Sequence, residues 1–285
     1  MSREVSDGDF RRVGIVGIGL VGGSLAFAIR RALPDTFVVG VDRDDVTSVA
    51  RQLGAIHQAG REAAALAGCD LVVLAAPVRQ NVAVLAHLGT HVAGPAIVTD
   101  VGSTKRSTVE AARVLPPALT FIGGHPLAGA ARGGLEASRA DLFERRAWLL
   151  TPDATTPPEA VARLSRLVVT LGAAPVLVDP ITHDRVLAYT SHLPQLTASA
   201  LMHVVGESVG DTGLRLSGAG LADTTRVAAS PASIWSDICA TNEDELLPAL
   251  DRLIGTLQEL RRSLASDQSI APLFASAQRW RARLK

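Results

Sequence analysis

Residues 12–24 read RVGIVGIGLVGGS, a β-branched apolar run that passes directly into glycines spaced G-x-G-x-x-G and then into a helix-forming stretch. Each part limits the others. A short Val/Ile run is a buried strand, and a strand that turns at once into a helix opens a βαβ unit. Such units commit a chain to a sheet with helices on its faces. Within the motif Gly17 permits the tight turn, Gly19 lets a pyrophosphate approach the backbone, and Gly22 lets the helix pack close to the strand. The helix N-terminus then offers its amides to the phosphates.

Asp42 ends the next apolar run, TFVVGVD, twenty residues beyond Gly22. A carboxylate there accepts hydrogen bonds from ribose hydroxyls and repels a 2′-phosphate, so NAD is expected. Arg43 beside it keeps NADP as the weaker alternative, because a guanidinium can pair with that phosphate. The expected cofactor set is Gly17, Ile18, Gly19, Leu20, Val21, Gly22, Asp42, Arg43 and Pro77. Pro77 is included because it ends the run 70–77, where such folds pass beside a dinucleotide.

Further strand runs follow at 70–77, 96–100, 119–124, 147–152 and 175–179, with Ala/Leu/Arg segments such as 23–33 and 158–171 between them. Continuous apolar runs separated by helices are what a parallel sheet covered on both faces demands. After Asp179-Pro180 the period changes. Residues 181–205, 231–240 and 242–264 have helical spacing, a Gly-rich joint lies at 217–220, and no convincing strand appears. The fold expected is α/β, with a Rossmann-like doubly wound sheet over 1–179 and an all-α domain over 180–285.

Composition bounds the rest. With 47% hydrophobic and 20% charged residues in 285, the chain is neither disordered nor short of core. Its 28 basic and 28 acidic residues cancel, so no nucleic-acid surface is implied. The polar N-terminus has no signal-type apolar stretch and no run reaches membrane-spanning length, so a cytoplasmic protein with no membrane partner is expected. Cys69 and Cys239 lie in apolar contexts and read as buried thiols. His87 and His91 lack a third ligand, so no metal is expected. Of the 28 basic residues 26 are arginine, and Lys105 is the one lysine short of the C-terminal Lys285.

Lys105 falls in DVGSTK, the turn after the strand 96–100, where open α/β sheets place their ligands. GGHPLAG follows the next strand, and its glycines and proline suggest an exposed, fixed backbone around His125. Neutral imidazole can take an alcohol proton while hydride leaves the same carbon. Ser103 is the candidate to orient that ring. His183-Asp184, at the start of the first helix beyond 180, reads as a helix-orienting pair near the cleft.

Taken together, GIVGIGLVGGSLA, DVGSTK, GGHPLAG, HDRVLAYTSHLPQ, ADTTRVAASP and IWSDICATN resemble the prephenate/arogenate dehydrogenases of tyrosine biosynthesis, from Val13 to Leu264. The resemblance implies a nucleotide-binding domain, a helical domain that forms a homodimer, and an active site between them. It implies that His125 contacts the ring hydroxyl of the substrate and that Ser103 helps position it. Arg226 would bind a substrate carboxylate, with His192 and Thr104 also placed at the substrate. The implied reaction is oxidative decarboxylation of prephenate to 4-hydroxyphenylpyruvate with NAD reduction.

Two departures bear on the substrate. Ala130-Ala131-Arg132 stand where many prephenate-specific members have a Thr-Glu-like pair, and Leu221-Ala222 where the family often shows Phe-Arg. Arogenate or 4-amino-4-deoxyprephenate therefore remain alternative substrates, and a non-catalytic nucleotide sensor is the alternative of a different class. The length leaves no room for the ACT-type regulatory domain of some relatives, so any tyrosine inhibition is expected at the active site.

Overall fold

The computed structural model describes residues 10–130, 132–266 and 268–284. The N-terminal residues 1–9, Ala131 and Lys285, on which some expectations above bear, lie outside them. Eight strands form one sheet: β1 (Arg12–Val16), β2 (Phe37–Val41), β3 (Gln58–Gly60), β4 (Leu71–Leu74), β5 (Ala96–Asp100), β6 (Leu119–Pro126), β7 (Ala147–Thr151) and β8 (Ala174–Leu177). Their order is β3-β2-β1-β4-β5-β6-β7-β8.

Every residue of β4 and β5 is buried. Alternate side chains go to opposite faces, as the two-residue period of a strand requires. Leu71 and Val73 join one apolar cluster with Leu25, Ile29 and Leu164, while Val72 and Leu74 join another with Leu85 and Leu88. A sheet so covered needs helices on both sides. They are α1 (Leu20–Ala32), α2 (Asp44–Gln52), α3 (Val78–Leu88), α4 (Arg106–Ala111) and α5 (Pro158–Thr170).

The sheet is not wholly parallel, which corrects the sequence expectation. The first part of β6 pairs parallel with β5, but Gly123–Pro126 pair antiparallel with β7, and β7 and β8 are parallel to each other. Among the described residues the chain between β6 and β7 carries only a short 3₁₀ turn, Leu135–Ala137, and no crossover helix. Without one the chain folds straight back, as antiparallel strands can. The strand β3 was not anticipated, because Gln-Ala-Gly at the sheet edge has no apolar pattern.

From Pro180 the described residues form helices only: α6 (Pro180–Leu187), α7 (Leu193–Leu214), α8 (Ala219–Thr225), α9 (Ala232–Thr241), α10 (Glu243–Ala265) and α11 (Ala271–Arg281). Asp179 caps α6, accepting from the Thr182 amide at 2.9 Å with Pro180 at the first helical position. The single helix expected over 181–205 is interrupted by a wider π turn, Ala188–His192. The joint at 217–220 runs into α8, which begins within it at Ala219; the sequence pattern shows neither that helix nor α11. Cys69 is buried as expected, whereas Cys239 is half-buried. Among the described residues no helix is long and apolar enough to cross a membrane.

Candidate active site

The glycine turn is built around one carboxylate. Gly17 has φ +91°, and a Cβ there would sit 2.6 Å from the Ala76 amide nitrogen. A Cβ on Gly22 would lie 1.9 Å from the Gly17 carbonyl oxygen, so α1 can approach the turn only through glycine. Asp42 at the end of β2 accepts from the Ile18 amide and the Arg43 amide, both at 2.7 Å. The carboxylate therefore holds the turn while its remaining lone pairs are available to ribose hydroxyls.

This cradle fits a dinucleotide. Among the described residues, no atom beyond Gly19 and its two chain neighbours lies within 4 Å of a Cβ placed on Gly19. No side chain caps α1, and no acidic residue occupies its first turn, so the orphan amides of the helix start face an anion-ready space. A crevice of about 290 Å³ lies there, between Gly19, Leu20 and Val21 on one side and Pro77, Ser103 and Ile234 on others. Ile18 departs from expectation: its side chain is fully buried in the core and its amide is engaged by Asp42. Arg43 is exposed and lies 3.3 Å from Asp45.

His125 sits inside β6, and Gly123 to Pro126 are all buried. The exposed backbone expected around GGHP is thus corrected: these residues pair with β7 and pack against the end of β5. A Cβ on Gly124 would meet the Asp100 carbonyl oxygen at 2.5 Å. Beneath them Lys105 and Asp100 form a fully buried ion pair. The Lys105 ammonium also donates to the Gly124 carbonyl at 2.6 Å, and the Gly124 amide donates to Asp100 at 3.0 Å. The lysine singled out by its rarity therefore ties β5 to β6 one residue before His125. Burial lowers its pKa, with Asp100 opposing.

The His125 ring is oriented by His183, not by Ser103. His125 Nδ1 lies 2.9 Å from His183 Nε2, and His183 Nδ1 lies 2.7 Å from Asp184 Oδ1. Asp184 also accepts from the Lys105 amide at 2.7 Å, the Arg106 amide at 3.0 Å and the Arg106 guanidinium. Burial pushes the His125 pKa well below 6.5, and His183, Lys105 and His192 add to the shift, so the ring is neutral. Ser103 lines the cofactor crevice instead. The sequence offered His183-Asp184 only as a helix-orienting pair; their partners lie too far along the chain for any local pattern to reveal.

A second pocket adjoins Gly129 and Ala130 and is lined by Thr190, Gln195, Arg226 and Trp235. The Arg226 side chain is exposed at the start of a 3₁₀ turn, Arg226–Ala229, and makes no ion pair among the described residues. Among the described residues it is the one charged side chain lining that pocket, as a carboxylate site requires. His192 departs from a pocket-lining role. It is fully buried, with Nδ1 3.2 Å from Asn242 Nδ2, its ring at 77° to that of Trp235, and Nε2 without a hydrogen-bond partner among the described residues. Burial chiefly lowers its pKa, to about 4. Thr104 is corrected likewise: its hydroxyl is buried and bonded to the Thr241 hydroxyl at 2.8 Å, tying the turn after β5 to α9.

Comparisons with known proteins show the family. Residues 25–177 match the family described as prephenate dehydrogenase, nucleotide-binding domain, and residues 179–275 match prephenate dehydrogenase, dimerization domain. The chain is 36% identical over 289 residues to a cyclohexadienyl dehydrogenase of Zymomonas mobilis, covering 97% of each. It is 34% identical over 253 residues to a prephenate dehydrogenase of Bacillus subtilis, covering 87% of this chain and 68% of that one. Among solved structures, the prephenate dehydrogenase of Aquifex aeolicus in complex with hydroxyphenyl propionate and NAD+ superposes with a TM-score of 0.89 at 27% identity, covering 99% of this chain and 100% of the other. The nucleotide cradle, the buried histidine and the matches along both halves place this chain in the prephenate dehydrogenase family of NAD-dependent oxidoreductases.

Proposed function

We propose that the protein oxidatively decarboxylates prephenate to 4-hydroxyphenylpyruvate. The observation that carries this reading is the pocket around Arg226, whose described lining holds a guanidinium and no carboxylate. An α-keto acid side chain needs only its carboxylate matched; the ammonium of arogenate would stand beside Arg226 without a counter-charge. Gln195 faces the same space, and its amide donates to the Val227 carbonyl at 2.8 Å, which fixes a polar wall.

The residues divide the work. Leu20, Val21, Gly19 and Asp42 would hold the dinucleotide, with the Asp42 carboxylate available to ribose hydroxyls. When bound, NAD supplies the hydride acceptor. His125, neutral and buried, receives the hydroxyl proton or a strengthening hydrogen bond at the nitrogen not bonded to His183. Arg226 anchors the side-chain carboxylate. Aromatisation drives loss of the ring carboxylate, so the protein chiefly aligns groups and stabilises developing charge. Ser103, on the crevice wall, positions the substrate.

The same reading divides the chain into a nucleotide-binding part, 1–179, and a substrate and homodimerisation part, 180–285, in a cytoplasmic enzyme. Exposed Leu201, Val204, Leu257, Leu264, Phe274 and Trp280 support the dimer, since α7, α10 and α11 bury little within one chain. NADH formation is to be measured with prephenate and with arogenate. A higher kcat/KM for prephenate is expected; a clear preference for arogenate would reverse the substrate, and no turnover with either while NAD binds would remove the reading.

A further inference from the structure

The His125 ring stands at the end of a chain of hydrogen bonds that begins on a carboxylate in the other domain. Asp184 can only accept, so the bond at 2.7 Å places the proton of His183 on Nδ1. In a neutral ring that leaves His183 Nε2 bare, and at 2.9 Å from His125 Nδ1 it must accept. The shared proton then sits on His125 Nδ1, and His125 Nε2 carries the free lone pair. One carboxylate fixes the tautomers of two rings.

We infer that His183 and Asp184 are positioning residues, which set the His125 tautomer and share the charge that ring gains when the substrate proton reaches Nε2. The inference rests on the dehydrogenase reading above for the identity of that proton. As the proton moves, the substrate O–H bond breaks and an N–H bond forms, while the O–H electron pair becomes part of a carbonyl as hydride departs. The ring-to-carboxylate bond then breaks, its electron pair completes the arene, carbon dioxide leaves, and the proton returns to the phenolic oxygen. Prephenate and NAD thus become 4-hydroxyphenylpyruvate, carbon dioxide and NADH with no proton released. A base walled off from solvent and backed by an anion suits a proton that must be held and given back.

The groups around the relay make Asp184 the effective anion. His125 is faced by His183 from α6, Lys105 from the turn after β5, and His192 from the π turn, none of them acidic. Lys105 is already matched by Asp100. Asp184 is faced by His183, by the Lys105 and Arg106 amides, and by the Arg106 guanidinium, which also pairs with Asp244. Burial raises the Asp184 carboxyl, but the hydrogen bonds outweigh it and leave the pKa below the ordinary value. It is therefore ionised wherever the enzyme works.

The test begins on the unaltered protein. Imidazole ¹⁵N shifts should show His125 protonated at Nδ1 and bare at Nε2; the opposite tautomer overturns the inference whether or not prephenate is turned over, so the two readings fail separately. His183→Gln should lower kcat by up to roughly a hundredfold, the scale for misplacing a reacting group by about 1 Å, with NAD affinity little changed. A kcat within about twofold of the parent overturns it. Asp184→Asn should also move the acid limb of kcat/KM to lower pH, because the His125 cation loses its anion. A reduced kcat with an unmoved limb would mean a merely structural contact.

Discussion

His183 Nε2 lies 2.9 Å from His125 Nδ1, and both rings are buried. With its pKa driven below 6.5 by burial first and by His183, Lys105 and His192 next, His125 is a base that stays unprotonated through neutral pH. A base works deprotonated, so kcat/KM should hold level across neutrality and fall only at a pH below 6.5. His125→Asn should reduce kcat by roughly two to four orders of magnitude and leave NAD binding unchanged. Loss of NAD affinity on the same scale would make this histidine a structural one.

Arg226 has no ion-pair partner among the described residues, so its guanidinium is free for the substrate. Arg226→Gln keeps a donor and removes the charge. KM for prephenate should rise by about tenfold or more, since a hydrogen bond to a charged group contributes about 1.5–3 kcal/mol, with kcat within a few-fold. Steady-state kinetics at saturating NAD would expose an unchanged KM, which would take Arg226 out of the pocket.

Asp42 both grips the glycine turn and bars a 2′-phosphate. Asp42→Asn retains an acceptor, removes the repulsion, and leaves Arg43 nearby. The ratio of kcat/KM for NADP over NAD should climb by roughly tenfold, equivalent to about 1.4 kcal/mol. Equal loss with both cofactors would assign Asp42 to the turn alone.

Lys105 and Asp100 are fully buried against each other. Lys105→Met strands a buried carboxylate and should lower stability by about 3–5 kcal/mol. Adding Asp100→Asn removes that charge and should restore part of the loss. Denaturant melts of the two single variants and the double variant would detect this coupling; simple additivity would refute it.

Acid should loosen the fold through the same histidines. His125 and His192 have pKa values below 6.5 in the folded chain, His192 near 4, each chiefly through burial. The unfolded chain therefore binds more protons than the folded one in the window from 6.5 down to about 4. Their contribution is complete above 6.5 and declines as the pH falls through that window. Thermal melts should show Tm dropping there, and His192→Asn should flatten the slope.

The sheet was largely legible because its buried strands are continuous Val/Ile/Leu runs, and the glycine turn because three glycines and Asp42 have positional meanings. Strand direction was not: an apolar run looks the same whichever way it pairs, so the reversal at Gly123 escaped. Ser103 looked like the partner of His125 because both follow neighbouring strands, yet the partner comes from α6, fifty-eight residues away. Thr104 was expected at the substrate from the family resemblance, and its hydroxyl is held by Thr241 across 137 residues. Arg226 was found by motif, since one arginine among 26 has no local signal.

The scarcity of lysine gives the chain an unusual reporter. Between residues 10 and 284 the single ε-amine belongs to Lys105, and it is wholly shielded. Acylating reagents can reach it only when β5 and β6 part at the joint beside His125. The rate at which that one amine becomes labelled would therefore time the opening of the catalytic core, with no engineered probe and little competing background.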